Sequence, residues 1–128
     1  MAKLASEFGD EVEERKWSEA AANAGDSSAM YNLGVMAEQE LNLSEAKKWY
    51  SLAADVGHSS AMHNLGVMAY QVGNLVEAKK WYLLSAEAGD TDAMINLGLM
   101  AHDAGDDSEA EKWFKLARPN TKSFEIRD

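Results

Sequence analysis

Two stretches of the chain are near-copies of each other and decide its fold: residues 42–57 read NLSEAKKWYSLAADVG, and residues 74–89 read NLVEAKKWYLLSAEAG. Each contains a Trp-Tyr pair and ends on a glycine. The tryptophans of the chain recur at a fixed step of 32 residues, at Trp17, Trp49, Trp81 and Trp113. Self-similarity at a fixed period of this length is typical of repeat proteins, in which each copy packs on its neighbours.

The same period divides the 128-residue chain into repeats and a tail. Two middle repeats are identical at 22 of 32 positions without a gap, so the period is strict. We predict one repeat domain at 1–118 and a tail outside the repeat at 119–128. The predicted repeats are a truncated copy at 1–25, full copies at 26–57 and 58–89, and a last copy at 90–118.

Each repeat carries the signals of two helices, of which the first starts after a serine or threonine that suits an N-cap. The predicted caps of the first helices are Ser27, Ser59 and Thr91. Gly73 and Gly105 are predicted to end this helix, because glycine tolerates a left-handed backbone. Leu41 occupies the same position one repeat earlier, and there we predict that Asn42 is the left-handed residue instead.

The second helix of each repeat begins with a capping box, an Asp or Asn followed three residues later by Glu. The predicted caps are Asp10, Asn42, Asn74 and Asp106, with Glu13, Glu45, Glu77 and Glu109 three residues on. The pattern predicts four helix starts. Gly25, Gly57 and Gly89 are predicted to end three of these helices.

Apolar residues of the second helix cover two adjacent sides, one marked by Tyr50 and the other by Trp49. A lone hairpin cannot bury both sides, whereas stacked hairpins can, so we predict an all-α solenoid of stacked antiparallel helix hairpins. The tryptophans are predicted to be core, and Trp81→Ala to cost about 3–5 kcal/mol. Close helix approach is predicted at Gly34, Gly66 and Gly98, opposite Ala46, Ala78 and Ala110.

The spacing of these residues resembles a known family. Leu33-Gly34, Ala46 and Tyr50 follow the tetratricopeptide repeat (TPR) pattern. The run 49–57, with Trp-Tyr, two residues, Ala-Ala, two residues and Gly, is similar to its Sel-one-like repeat (SLR) subclass. The resemblance covers residues 1 to about 118. It implies a right-handed α–α superhelix that acts as an adaptor and holds a protein or peptide on the concave surface of its first helices.

Mapped onto this chain, the implied partner-binding face takes one side of each first helix. The predicted binding residues are Tyr31, Asn32, Val35, Glu38, Gln39, His63, Asn64, Val67, Tyr70, Gln71, Ile95, Asn96, Leu99 and His102, with Ser28, Ser60, Asp92 and Asp103 on the same face. Asparagine is a poor helix former, so its recurrence at 32, 64 and 96 needs a reason. Two reasons stay open: a hydrogen bond between helices that fixes packing, or contact with the backbone of a ligand.

The predicted face contains no Lys or Arg, so a clamp for an acidic peptide terminus is not expected, and a neutral or basic partner fits better. The net charge of −10 disfavours nucleic acid and anionic membranes as partners. No apolar run is long enough to span a membrane, and no signal peptide is recognisable. We therefore expect a cytoplasmic protein.

Nothing in the sequence indicates catalysis. The three histidines, His58, His63 and His102, share no metal-ligand spacing, and the chain has no cysteine. We predict no enzyme activity, no catalytic residue, no metal and no cofactor. The main prediction is a protein-interaction scaffold. The alternative is a purely structural, consensus-like repeat without a ligand that self-associates through exposed terminal repeats or the tail. The tail, with Phe124 and Ile126, is predicted to extend over an exposed surface, either the last repeat of its own chain or the groove of another molecule.

Overall fold

The computed structural model describes the backbone of residues 2–118 and the side chains of residues 11–118. Within this range the chain forms seven α-helices and no strand, which confirms the predicted all-α class. The helices are α1 (Ala2–Asn23), α2 (Ser27–Gln39), α3 (Leu43–Asp55), α4 (Ser59–Gln71), α5 (Leu75–Glu87), α6 (Thr91–Asp103) and α7 (Asp107–Leu116).

Two compact units make up the described chain, divided between Ala61 and Met62. In the N-terminal unit, α2 packs on α3 and α1 packs on α2. In the C-terminal unit, α6 packs on both α5 and α7. The buried cluster of this second unit consists of Ala69, Ala78, Tyr82, Ala86, Ala93 and Leu97. Consecutive helices thus pack as pairs, as the repeat predicts.

Three glycines inside the first helices allow a close approach, as predicted, but the residue opposite them is an aromatic ring and not an alanine. A Cβ atom added at Gly66 would lie 2.5 Å from Cε1 of Tyr82, and one at Gly98 would lie 2.8 Å from Cδ1 of Phe114. Gly34 meets Tyr50 in the same way. The missing side chain therefore makes room for an aromatic ring from the second helix, which an alanine at the glycine position would displace.

Three of the four predicted caps of the second helices are confirmed, because Asn42, Asn74 and Asp106 each accept a hydrogen bond from the backbone amide three residues on. The predicted caps of the first helices are wrong by one residue. Asp26 caps α2 and Asp90 caps α6, so Ser27 and Thr91 are already helical. Ser59 also lies inside α4, and the amide of Ala61 donates to Nδ1 of His58 at 3.2 Å. A carboxylate outcompetes the neighbouring hydroxyl because its charge also favours the helix dipole.

The predicted helix start at Asp10 is wrong, since α1 continues through Gly9 and Asp10 without a break. Only the seven residues Ala2–Phe8 precede Gly9 in this helix. A separate two-turn helix would leave most of its terminal backbone groups unpaired, whereas one continuous helix satisfies them.

Backbone angles at the helix ends bear out the predicted glycines and correct one neighbour. The glycines predicted to end helices all have positive φ, namely Gly25, Gly57, Gly73, Gly89 and Gly105. At the turn after α2 the left-handed residue is Leu41, with φ 62°, and Asn42 has φ −92°. Asn42 cannot take that conformation because it must remain extended enough to cap α3.

The tryptophans are less buried than predicted. Trp17 is 69% exposed, and Trp49, Trp81 and Trp113 are only partly buried. The indole nitrogen of Trp81 donates to Glu77 on the same helix at 3.4 Å, which keeps that edge of the ring near solvent. The large side chains that are fully buried are instead those of Tyr50, Leu33, Leu65 and Leu97.

Candidate functional site

A cavity of about 730 Å³ lies between α1 and α2 in the N-terminal unit. Three predicted binding residues, Asn32, Val35 and Gln39, line it from α2. The opposite wall comes from α1 and consists of Glu11, Val12, Glu14 and Arg15, and Met36 and Glu40 complete the lining. The sequence prediction missed the α1 wall because it considered first helices alone, although the repeat spacing already makes α1 the second helix of the preceding repeat.

The charge of this cavity is negative. Carboxylates of Glu11, Glu14 and Glu40 lie in its lining, and one cation, Arg15, pairs with Glu40. A neighbouring cavity of about 530 Å³ adds Glu13, Asp26 and the exposed ring of Trp17. Asn32 lines both cavities, so it occupies the middle of a surface that is acidic with apolar and aromatic parts. Such a surface attracts cationic side chains and repels acidic ones.

Tyr31 and Glu38 contribute to packing within the N-terminal unit. The ring of Tyr31 stacks on His58, with centroids 4.8 Å apart, and lies 5.7 Å from the ring of Tyr50. The hydroxyl of buried Tyr50 donates to Oε1 of Glu38 at 2.6 Å. These contacts fix both side chains in place, so they shape the helix pair and lie outside the lining of the two cavities.

In the C-terminal unit, His63 lies within a polar cluster of buried and half-buried groups. Its ring is 5.8 Å from that of Tyr82, and its Nδ1 is 3.3 Å from Oδ2 of Asp90 without the geometry of a hydrogen bond. The same Asp90 oxygen accepts a hydrogen bond from Oγ of Ser85 at 2.8 Å. The Asp90 carboxylate therefore lies close to both the serine and the histidine.

Tyr70 and Val67 differ in environment although both belong to the predicted face. Val67 packs against the buried cluster of the C-terminal unit, whereas Tyr70 is largely exposed. Burial raises the pKa of the Tyr82 hydroxyl above its ordinary value of 10.0, and the neighbouring Tyr70 raises it further. Burial disfavours the phenolate because a charge is poorly solvated inside the protein.

The remaining predicted residues of the C-terminal unit are dispersed. Asn64 and Asn96 are half-buried, and Gln71 and Leu99 are exposed. His102 is exposed and its Nδ1 lies 2.8 Å from Oδ1 of Asp107. Ile95 lines a cavity of about 370 Å³ with Phe114, Ala117 and Arg118.

The sequence leaves two explanations open for the three repeated asparagines, a hydrogen bond between helices or contact with a ligand. Across residues 11–118, no hydrogen bond joins the side chain of Asn32, Asn64 or Asn96 to another residue. Contact of these three amides with a ligand stays a prediction.

No group of three or more His, Asp or Glu side chains among the described residues is arranged to hold a metal ion. None of the helices in the described range combines the length and the apolar character needed to cross a bilayer.

Comparison with known proteins identifies the repeat. The family model of the Sel1 repeat matches four consecutive segments, at residues 1–26, 27–58, 59–90 and 91–118. A search of curated proteins finds no significant match. Repeats of the matched family are non-catalytic and generally mediate protein–protein interaction.

Proposed function

Because the chain belongs to the Sel1 repeat family, we propose that it is a scaffold that binds a peptide or protein segment along the face of its first helices. The segment contacts the N-terminal unit in the cavity between α1 and α2. In the C-terminal unit, the predicted binding residues include Asn64, Asn96 and Leu99.

The cavity lined by Asn32, Val35 and Gln39 carries this proposal. Its volume of about 730 Å³ is within the range of roughly 300–1,000 Å³ that ligand pockets occupy. Three residues that were selected from the sequence for binding lie side by side in it. The apolar side chain of Val35 offers a dry contact, and the amides of Asn32 and Gln39 offer paired donors and acceptors, which suit an extended peptide backbone.

The charges around the cavity favour one class of ligand. Glu11 and Glu14 face a ligand without a salt bridge between them and any described cation, while Arg15 is engaged by Glu40. A segment with Lys or Arg beside apolar residues gains attraction from these carboxylates, and an acidic segment is repelled. The ligand is therefore a neutral or basic segment.

Selection from a random peptide library displayed on phage tests this function. Wild-type protein is expected to enrich neutral or basic peptides with apolar residues. The matched variant Glu11→Lys/Glu14→Lys keeps the helix and inverts the wall of the cavity, so it is expected to shift the selected peptides towards Asp and Glu. Enrichment of acidic peptides by wild type, or the same peptides from both proteins, would contradict the proposal.

A chain without a ligand, the purely structural alternative, gives a different result. It would enrich no peptide above the level that an unrelated acidic protein gives in the same selection. That outcome would leave the repeat fold unchanged and remove the binding function.

A further inference from the structure

Among residues 2–118, α7 is the last helix of the C-terminal unit, and an apolar surface lies beside its end. Phe114, Ala117 and Arg118 surround the cavity of about 370 Å³, and Ile95 from α6 forms its remaining wall. Ile95 is 40% exposed, and Phe114 and Ala117 are only partly buried. We call this apolar surface the end cavity.

The repeat supplies an internal reference for the end cavity. Counting back 32 residues from Phe114, Ala117 and Arg118 gives Tyr82, Ser85 and Ala86. These three are 3%, 0% and 5% exposed, because α6 packs on them with Ala93 and Leu97 in the same cluster. The surface of the end cavity is thus built to be covered, and the chain that follows Arg118 is the first candidate to cover it.

A further copy of the first helix cannot be that cover. The residue 32 positions after fully buried Ala93 is Glu125. A helix docked as α6 docks on α5 would bury the Glu125 carboxylate against an apolar surface, which costs several kcal/mol by order of magnitude. Helical continuation of the repeat is therefore disfavoured by the sequence of the segment itself.

An extended segment avoids this cost. Phe124 and Ile126 alternate with Glu125 and Arg127, so in an extended chain the two apolar side chains share one side and the charged ones share the other. Phe124 lies six residues after Arg118, a span of at most about 20 Å when extended. Because Arg118 itself lines the end cavity, attachment keeps the segment at a high effective concentration there.

We propose that residues 119–128 bind the end cavity of their own chain as an extended strap, with Phe124 and Ile126 against Ile95, Phe114 and Ala117. The strap takes the place that the first helix of a further repeat would occupy. It covers the apolar side chains that line the end cavity.

Disulfide trapping tests this contact directly, because the chain contains no cysteine. The double variant Ile95→Cys/Phe124→Cys is expected to form an intramolecular disulfide under mild oxidation, since this bond needs Cα atoms roughly 4.4–6.8 Å apart. The control is Val76→Cys/Phe124→Cys, which pairs the same tail position with an exposed residue of α5 in the same unit. The control is expected to cross-link at least tenfold more slowly. A disulfide between two molecules would identify a second copy as the occupant and overturn the proposal, as would equal rates in both variants.

Two aspartates introduced into the tail provide a second test that needs no cross-link. Phe124→Asp/Ile126→Asp is expected to lower the Tm of the full chain by roughly 4 °C, on the scale of 1 kcal/mol for a domain of this size. Thr121→Asp/Ser123→Asp adds the same charge to the opposite side of the strap and is expected to leave the Tm unchanged. Equal shifts in the two variants would contradict docking of the apolar side.

Discussion

The two compact units share their scaffold and differ in the residues around it. In both units a glycine of the first helix meets a tyrosine of the second helix, Gly34 with Tyr50 and Gly66 with Tyr82. The tyrosine hydroxyl meets a carboxylate in the N-terminal unit, where it donates to Glu38, whereas Tyr70 stands at that repeat position in the C-terminal unit. The glycine–tyrosine contact is therefore repeated in both units, whereas the side chain beside the tyrosine hydroxyl differs between them.

Removal of the two tyrosine rings tests whether the scaffold is shared. We expect Tyr50→Ala and Tyr82→Ala each to lower the free energy of unfolding by about 3–5 kcal/mol, because each leaves a ring-sized void beside a glycine. Urea unfolding followed by circular dichroism measures both. A loss below about 1 kcal/mol in either variant would show that the glycine–tyrosine contact does not stabilise that unit.

Removal of the tyrosine hydroxyl alone is expected to cost different amounts of stability in the two units. Tyr50→Phe deletes a hydrogen bond to the Glu38 carboxylate and is expected to cost about 1.5 kcal/mol. Tyr82→Phe deletes a hydroxyl that faces another tyrosine, and its cost is expected to stay below about 0.5 kcal/mol. Urea unfolding measures both costs in free energy, and equal costs would contradict the expected difference between the units.

The turn after the first helix also differs between the two units. Leu41 has φ 62° and is almost fully exposed, while its counterpart Gly73 has φ 80°. Leu41→Gly is expected to stabilise the protein by about 0.5–1 kcal/mol, since it relieves a left-handed leucine and loses little packing. Gly73→Ala is expected to destabilise it by about 1 kcal/mol. A loss of stability in Leu41→Gly would mean that the leucine side chain makes a contact that outweighs its backbone strain.

Alkaline pH is expected to act on the C-terminal unit through Tyr82. Its pKa is raised in the folded state, so the unfolded chain ionises first, and the stabilisation present below pH 10 is lost as the pH rises through the raised pKa. Tyr82→Phe should therefore reduce the fall of Tm above pH 10, and Tyr31→Phe serves as the matched tyrosine control. Identical pH profiles for wild type and Tyr82→Phe would contradict this role.

The repeat made the helices predictable, because four in-phase copies of one pattern reinforce every helix signal. The wrong predictions concern positions at which two residues could take the same structural role. Asp26 and Ser27 are adjacent and both suit an N-cap, so only the structure shows that the carboxylate takes the role. Gly34 indicated a close approach, but its spacing alone could not distinguish Ala46 from the ring of Tyr50, since both lie on the inner side of α3.

The candidate site was only partly predictable for a related reason. Asn32, Val35 and Gln39 were identified from one side of a single helix. Glu11 and Glu14 belong to the helix of the preceding repeat, and they meet the α2 residues only through packing between repeats. Tyr31 and Glu38 lie on the predicted side too, but their contacts with His58 and Tyr50 are tertiary and have no signal in the spacing.

The dissociation constant of one selected peptide tests the central claim most directly. Fluorescence anisotropy with the labelled peptide compares wild type, the cavity variant Asn32→Ala/Val35→Ala/Gln39→Ala, and the control Lys48→Ala/Leu52→Ala on exposed positions of α3. The cavity variant is expected to weaken binding by about tenfold or more, equivalent to about 1.4 kcal/mol, while the control binds as wild type does. Equal dissociation constants for all three proteins would contradict binding in the cavity between α1 and α2.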